Sequence, residues 1–331
     1  MKILVNDEID TDLWEEFVSG NPHANPFQTP AFYELVNHAI PSSGQAVCVF
    51  DHGKIRALAV VFLQKEKRFR SYFSRRGLIF GGPLIDPDCT EALNPLLEAI
   101  SLLLRRRVIY IETRNLSDYE EYITKFSNSG WIYSNHLNCI LDIKDRESVY
   151  NQMNATRRRQ IRQSLKNGAS YEVCRGLNDL EEFYSLLNKF YTKVIRLPLP
   201  PPEIFKAFFQ YNFGKIFVVR HNGRIIGGSI CPILENKTIY SYYYYGLKDY
   251  HKNIYPSHLS IVAAIEYAVD NNLGKLDFMG AGKSGTDYGV RDYKLQFGGH
   301  LVEYGRFIRI ERPSLYRIGK MGLGIIRYLG I

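Results

Sequence analysis

The sequence predicts an α/β (α+β) chain made of two similar units, and three observations carry that expectation. Residues 47–61 and 217–231 share one pattern: a strand (Val47-Cys48-Val49-Phe50; Phe217-Val218-Val219-Arg220), a tight turn, and a second apolar strand. The turns hold His52-Gly53 and Asn222-Gly223, residues suited to the positive φ of a two-residue hairpin loop. The order of elements beyond each hairpin agrees as well. Each half continues with an aromatic-rich strand (Tyr72 to Phe80; Thr238 to Tyr245), a glycine, an apolar helix and another strand (Val108 to Glu112; Leu276 to Met279). Finally, 331 residues with 45% hydrophobic and 23% charged content suffice for two ordinary cores. A duplicated β-β-β-α-β unit predicts twin domains, 1–145 and 146–331, with a substrate cleft at their seam.

The remaining elements fall into place around the repeat. Helices are expected over 12–20 and 30–39, the second with Pro30 at its first position, and Asn25–Thr29 makes the turn between them. Leu93, Leu96, Leu97, Ile100, Leu103 and Leu104 form the apolar stripe of a helix from Thr90 to Arg106. Helix Asp118–Ser127 and strand Cys139–Ile143 then close the first domain. Helical segments from Glu147 to Asn167 end at Gly168, a residue suited to a left-handed cap. Another helix covers 178–194, and Leu197-Pro198-Leu199-Pro200-Pro201-Pro202 is a stiff spacer. Past the second repeat come a glycine-rich loop, strand Leu301–Ile310 and a basic, apolar C-terminal helix.

Composition excludes several classes. The five cysteines form no CxxC pair and read as small buried residues of a reducing compartment. The eight histidines show no ligand spacing, so no metal is expected; nor is a tightly bound cofactor expected, the acyl donor being a substrate. No apolar run approaches the ~20 residues of a spanning helix, and Met1–Asp7 is too short an apolar start for a signal peptide. The expected location is cytoplasmic, or peripheral on the cytoplasmic membrane face. The net charge of +8 gathers at Arg105–Arg107, at Arg157-Arg158-Arg159 with Arg162, and in the last twenty residues. Such patches suit phosphate-bearing partners: nucleic acid, nucleotide-sugars, coenzyme A or anionic lipid.

The most specific local signal is Gly289-Val290-Arg291-Asp292-Tyr293-Lys294-Leu295-Gln296-Phe297-Gly298-Gly299, which lies just after the glycine-rich stretch Gly280 to Gly285. Glycines there let backbone amides approach a ligand closely. The loop is no phosphate-binding P-loop, because Lys283-Ser284 lacks the required glycine spacing. Lys294, set between Tyr293 and Phe297, is expected to be held by packing and kept partly dry. A dry cation can stabilise an oxyanion or a phosphate, whereas the alternative is a surface lysine laid along apolar neighbours.

Three segments resemble the FemABX family, the aminoacyl-tRNA-dependent transferases that extend peptidoglycan peptide bridges. Tyr293-Lys294-x-x-Phe297-Gly298-Gly299 is similar to its C-terminal signature. Thr156 to Gly168 is similar to its R-x-x-I-(R/K)-x-A-x-K-x-G helix, and Phe27-Gln28-Thr29-Pro30-Ala31-Phe32 to its N-terminal F-x-Q element. The resemblance spans nearly the whole chain. It implies two tandem acetyltransferase-like (GNAT) domains, here without the coiled-coil arm of some members. It further implies that Lys294 is the catalytic lysine facing the reacting ester, and that Arg158 and Arg162, four apart on one helix face, hold an anionic substrate part. Where compact members that bind a UDP-linked muropeptide carry a lysine, this chain has Val36-Asn37.

Further substrate contacts are expected from Gln28, Arg291, Tyr293 and Phe297, and from one alternate pair of the run Tyr242-Tyr243-Tyr244-Tyr245, taken as Tyr242 and Tyr244. Ser257, at the start of the next helix, is a candidate phosphate contact. The expected activity is aminoacyl transfer from aminoacyl-tRNA to an amine of a cell-envelope precursor, with Asp277, Asp287 and Asp292 as candidate bases. The alternative is acyl-CoA-dependent N- or O-acetyl transfer in polysaccharide synthesis, although His251–Pro256 lacks the glycines of a coenzyme A loop. An alternative of another class is a non-catalytic nucleic-acid or lipid binder on a transferase fold. The C-terminal helix, with Arg317, Lys320 and Arg327 beside Leu315, Ile318, Met321, Ile325, Ile326 and Leu329, is the candidate for peripheral membrane contact.

Overall fold

The computed structural model describes residues 1–65, 74–197 and 199–328, with side chains up to Lys320. The chain forms two compact units: Met1–Asn135 joined by Tyr304–Ile331, and His136–Glu303. Each unit contains one mixed sheet.

In the first unit, β1 (Lys2–Val5), β2 (Gly44–Asp51), β3 (Lys54–Gln64), β4 (Arg76–Gly81), β5 (Leu84–Ile85), β6 (Tyr110–Asn115) and β7 (Ile132–Ser134) supply seven strands. The second unit holds β8 (Leu137–Asp142), β9 (Ser170–Val173), β10 (Gly214–His221), β11 (Arg224–Leu234), β12 (Thr238–Tyr240), β13 (Tyr243–Gly246), β14 (Lys275–Gly280) and β15 (His300–Glu303). The last strand, β16 (Arg306–Ile310), returns to the first sheet. The strand orders are β1-β2-β3-β4-β6-β16-β7, with β5 on β3, and β15-β8-β14-β12-β11-β10-β9, with β13 on β11.

The repeat read from sequence is present down to its irregularities. His52 and Gly53 have φ of 49° and 78°, and Asn222 and Gly223 have 50° and 74°, the left-handed pairs that a tight hairpin of this hand needs. Both hairpins also carry a register shift at equivalent places, between Val49 and Phe50 and between Val219 and Arg220. A shared bulge beside a shared turn twists both sheets alike. The aromatic strand of the first unit begins at Arg76, and Tyr72 and Phe73 lie outside the described residues.

The domain boundary differs from the expected 145/146. Strand β8, assigned from its order to the first domain, lies between β15 and β14 in the second sheet. Its first five residues are all buried, which suits a central strand covered on both faces. Residues 304–331, expected in the second domain, rejoin the first unit, where β16 pairs with β6 and β7. Chain order alone does not say which sheet a late strand completes.

Eleven α-helices flank the sheets among the described residues: α1 (Thr11–Gly20), α2 (Pro30–Ala39), α3 (Leu93–Leu104), α4 (Ile123–Asn128), α5 (Arg146–Gln152), α6 (Ala155–Lys166), α7 (Leu177–Phe190), α8 (Pro202–Gln210), α9 (Pro256–Asp270), α10 (Gly289–Leu295) and α11 (Pro313–Tyr328). The stripe of α3 packs with Val47, Val49, Ile79 and Ile111 in the first core. The second core forms round α9, which is buried at Leu259 through Ile265. The helical segments expected from Glu147 to Asn167 are two helices, because Asn154 caps a new start by accepting from Thr156 N. Gly168 comes next with φ 84°, the left-handed helix stop expected of it. No helix among the described residues is long and apolar enough to cross a membrane. Most of the apolar residues expected to bind a membrane on α11 lie beyond the described side chains.

Candidate active site

The second sheet splits. Strand β12 pairs with β11 at Ile233–Leu234 and with β14 at Thr238–Tyr240. After Ser241 N donates to Asp277 O at 2.8 Å, the chain turns. Its continuation, β13, pairs with β11 through Gly227–Ile230. From there β13 and β14 part, and among the described residues no strand fills the gap. A gap between two strands of one sheet exposes main-chain edges to an extended ligand.

Beside the gap β14 is distorted. Its pairing with β8 shifts register between Asp277 and Gly280, and Met279 takes φ 60°, a left-handed conformation costing a side-chain-bearing residue roughly 1–2 kcal/mol. Two ionisable side chains hold this bulge. The Asp277 carboxylate accepts from Met279 N. The Lys294 ammonium donates to Phe278 O and Gly280 O, both at 2.7 Å.

Both groups are buried, Asp277 with 2% and Lys294 with 5% of its surface exposed. Burial raises the Asp277 carboxyl to about 7, against the pull of the Met279 amide and Lys294. It lowers the Lys294 ammonium to about 8, partly offset by Cys139 and Asp277. Desolvation therefore dominates on both sides of the pair. A lysine has three N–H donors, so one remains beyond the two carbonyl bonds. As candidate bases, Asp287 and Asp292 are set apart from this pair, Asp287 exposed on the glycine-rich loop and Asp292 exposed on α10.

The motif's aromatics do not clamp Lys294. Tyr293 and Phe297 are four residues apart and share a side of the α10 turn, whereas Lys294 points about 100° away from Tyr293. The cation on their faces is Arg157, whose guanidinium carbon lies 4.8 Å from the Tyr293 ring centre and 5.1 Å from that of Phe297. Arg157 also donates to Gln296 Oε1 and His258 Nε2. That bond makes Nδ1 the protonated nitrogen of His258, and it faces the Tyr293 hydroxyl at 3.0 Å. Burial, then the Arg157 charge, depress the His258 imidazole to about 3, so the ring is neutral. The Tyr255 ring stacks on His258, and Tyr244 stacks on Tyr293. The first motif glycine lets the turn after α10 press against the end of α5: Gly298 has φ 98°, and a Cβ there would meet Gln152 at 2.7 Å.

The other expected residues divide. Arg158 donates to Tyr150 O at 2.6 Å and Asn151 O at 3.2 Å, so it closes the end of α5. Arg162 is exposed, and the two do not converge on one site. The inward face of α6 is Arg157, Ile161 and Ser164, and Ile161 could have identified it, since Arg157 lies one turn before that apolar residue. Tyr244 joins the cluster, whereas Tyr242 packs on Tyr243. Tyr243 and Tyr245 face Phe205 and Phe190 instead. Ser257 sits one place inside α9, its hydroxyl donating to Gly246 O at 3.2 Å. Arg291 donates to Ala281 O and Lys283 O, tying the glycine-rich loop to α10.

Gln28 belongs to the first unit and is fully buried. Its amide donates to Phe80 O and accepts from Val60 N, both at 2.7 Å. It bridges β3 and β4 where their own pairing has ended at Phe62–Leu78, so the expected substrate contact is a structural plug. Arg157, His258 and Gln296 were not expected from sequence. A lone histidine near a helix start carries no motif, and its partners are 101 and 35 residues away.

Residues 153–295 match the model of an acetyltransferase (GNAT) domain. No curated protein matches the chain in sequence. Among solved structures, FemX is similar over 96% of this chain and 99% of its own, at TM-score 0.72 and 15% identity. The C-terminal domain of a putative lysylphosphatidylglycerol synthetase from Agrobacterium fabrum is similar over 96% of both chains, at TM-score 0.58 and 11% identity. A tandem GNAT protein of the clavulanic acid biosynthesis pathway is similar over 94% of this chain and 99% of its own, at TM-score 0.57 and 10% identity. Residues 153–295 thus match a GNAT domain, and the chain as a whole shares its fold with FemX and with a tandem GNAT protein.

Proposed function

We propose that the chain transfers an aminoacyl group from aminoacyl-tRNA to an amine of a cell-envelope precursor of the peptidoglycan type, in the split between β13 and β14. The observation that carries this reading is the buried Lys294 ammonium at the bulge of β14, with one N–H left after bonding Phe278 O and Gly280 O. The FemABX resemblance of the Tyr-Lys-x-x-Phe-Gly-Gly segment supports the donor and acceptor classes.

In this reaction the amine nitrogen attacks the ester carbonyl carbon, forming the N–C bond. The carbonyl oxygen becomes an oxyanion, and Lys294 stabilises it. Collapse breaks the ester C–O bond, and the proton lost by the amine goes to the departing ribose oxygen. The ester is already activated, so orientation and charge stabilisation supply most of the catalysis. Arg157 and His258 are positioning residues: they fix the Tyr293 ring and with it α10, which carries Lys294.

The match to an acetyltransferase domain supports a second reading, acetyl transfer from acyl-CoA to a sugar amine or hydroxyl. Incubation with radiolabelled aminoacyl-tRNA and, separately, labelled acetyl-CoA, each with an amine-bearing muropeptide precursor, tests both. Label moving from tRNA to the precursor is expected. Label moving from acetyl-CoA alone selects the second reading, and transfer from neither overturns both.

A further inference from the structure

Helix α7 runs into a wide turn, Tyr191–Ile195, that ends at Arg196 with φ 56°. Residues Thr192 to Leu197 are exposed without a break. Three of them are aliphatic, with Val194 66%, Ile195 40% and Leu197 49% exposed. Cations alternate with them, at Lys193 and Arg196, with Lys189 one turn earlier. No acidic residue occurs from Phe183 to Pro202.

This combination is unusual for a surface in contact with water alone, because adjacent exposed aliphatics gain nothing there. Six residues are exposed in succession, so the turn offers no enclosed groove for a peptide. An aliphatic tip ringed by lysine and arginine matches the interface of an anionic bilayer, where apolar side chains enter the acyl boundary and cations meet the headgroups.

We propose that the 191–197 turn docks the protein on an anionic membrane surface. The turn is rigidly tied to the reaction split. The Tyr191 ring packs on Tyr243, 5.8 Å between centres, and Phe190 stacks on Tyr245 at 4.5 Å. Both tyrosines belong to β13, one wall of the gap. A docked turn therefore brings the split to the bilayer, where it meets an acceptor carried on that surface. This last consequence rests on the acyl-transfer reading, whereas docking itself does not.

The test is flotation of the full chain with vesicles of equimolar phosphatidylglycerol and phosphatidylcholine, or of phosphatidylcholine alone. Binding to the anionic vesicles only, weakening as salt rises, is expected. K193S/R196S should lower the partition coefficient by about 10- to 30-fold, and V194S/I195S/L197S should abolish flotation. R317S/K320S on α11 should leave it unchanged. Absence of flotation overturns the proposal, as does equal flotation of wild type and the triple serine variant. Loss of flotation in R317S/K320S but not in the turn variants also overturns it, placing the contact on α11. If wild type without vesicles is a dimer and the triple variant a monomer, the turn is a self-association surface and the proposal fails. No transfer reaction enters the readout, so failure here leaves the enzymatic reading standing, and the labelled-donor assay can fail without affecting this one.

Discussion

Arg157 lies over the Tyr293 ring, its guanidinium carbon 4.8 Å from the ring centre, and so joins the arginine-rich helix α6 to the motif helix α10. The contact is buried on the arginine side, with 5% of Arg157 exposed. Desolvation is strong enough to lower the guanidinium's proton affinity, yet the plane is held by two aromatic rings and by acceptors on Gln296 and His258.

Arg157→Ala should therefore cost roughly 2–4 kcal/mol of stability, from lost cation–π contact and charge-assisted hydrogen bonds. Arg162→Ala, on the exposed face of the same helix, should stay within about 0.5 kcal/mol of wild type. Urea denaturation of the two variants measures the difference. Equal midpoints would remove Arg157 from its proposed positioning role.

His258 makes the fold sensitive to acid. Its folded pKa of about 3 lies below the ordinary 6.5, so its stabilising contribution is complete above pH 6.5 and is lost as pH falls toward 3. Between pH 6.5 and 4 the loss is about 3 kcal/mol, at 1.36 kcal/mol per pH unit. Asp277 works in the opposite direction: its raised pKa favours the fold below 3.8, and that benefit fades as pH rises through about 7. His258→Asn removes the first effect and keeps the second. The gap in stability between wild type and this variant should shrink by about 3 kcal/mol from pH 6.5 to pH 4, as read from denaturation curves at each pH.

Gln28→Leu should destabilise the first unit by about 2–4 kcal/mol, since Val60 N and Phe80 O would both be buried without partners. Hydrogen exchange would show this as faster exchange at β3 and β4, with the second unit's amides unchanged. Unaltered protection in the first unit would contradict the plug.

Met279→Gly should raise stability by about 0.5–1 kcal/mol, because glycine adopts φ 60° without strain while adding some unfolded-state freedom. The same change should lower transfer activity, as the bulge that Lys294 and Asp277 hold becomes easier to rearrange. Thermal unfolding together with a transfer assay would show whether stability and activity move in opposite directions.

The elements that depend on local chemistry were legible in the sequence. The two hairpins could be read from His52-Gly53 and Asn222-Gly223, the stripe of α3 from its leucine spacing, and the stop at Gly168 from its backbone freedom. The bulges beside the turns were not, since nothing in Val49-Phe50 or Val219-Arg220 marks an extra residue. Strand β8 joins the second sheet although chain order places it in the first domain, because burial on both faces marks an interior strand without naming its sheet. At the site, the motif drew attention to Lys294 and its two aromatics. Which cation those rings hold depended on the side chain of Arg157 arriving from another helix. Gln28 shows the converse: its segment resembles a family element, while its amide serves the sheet.

In the proposed reaction the Lys294 ammonium stabilises charge on the acyl group. Lys294→Met leaves the carbonyls of Phe278 and Gly280 without their donor, so its turnover is to be measured at a temperature where its circular dichroism matches wild type. Under that condition, single-turnover transfer from the donor identified by the labelling assay should fall by about 10²–10³-fold. Transfer by the folded methionine variant at the wild-type rate would exclude Lys294 from the chemistry and leave it a purely structural clasp on β14.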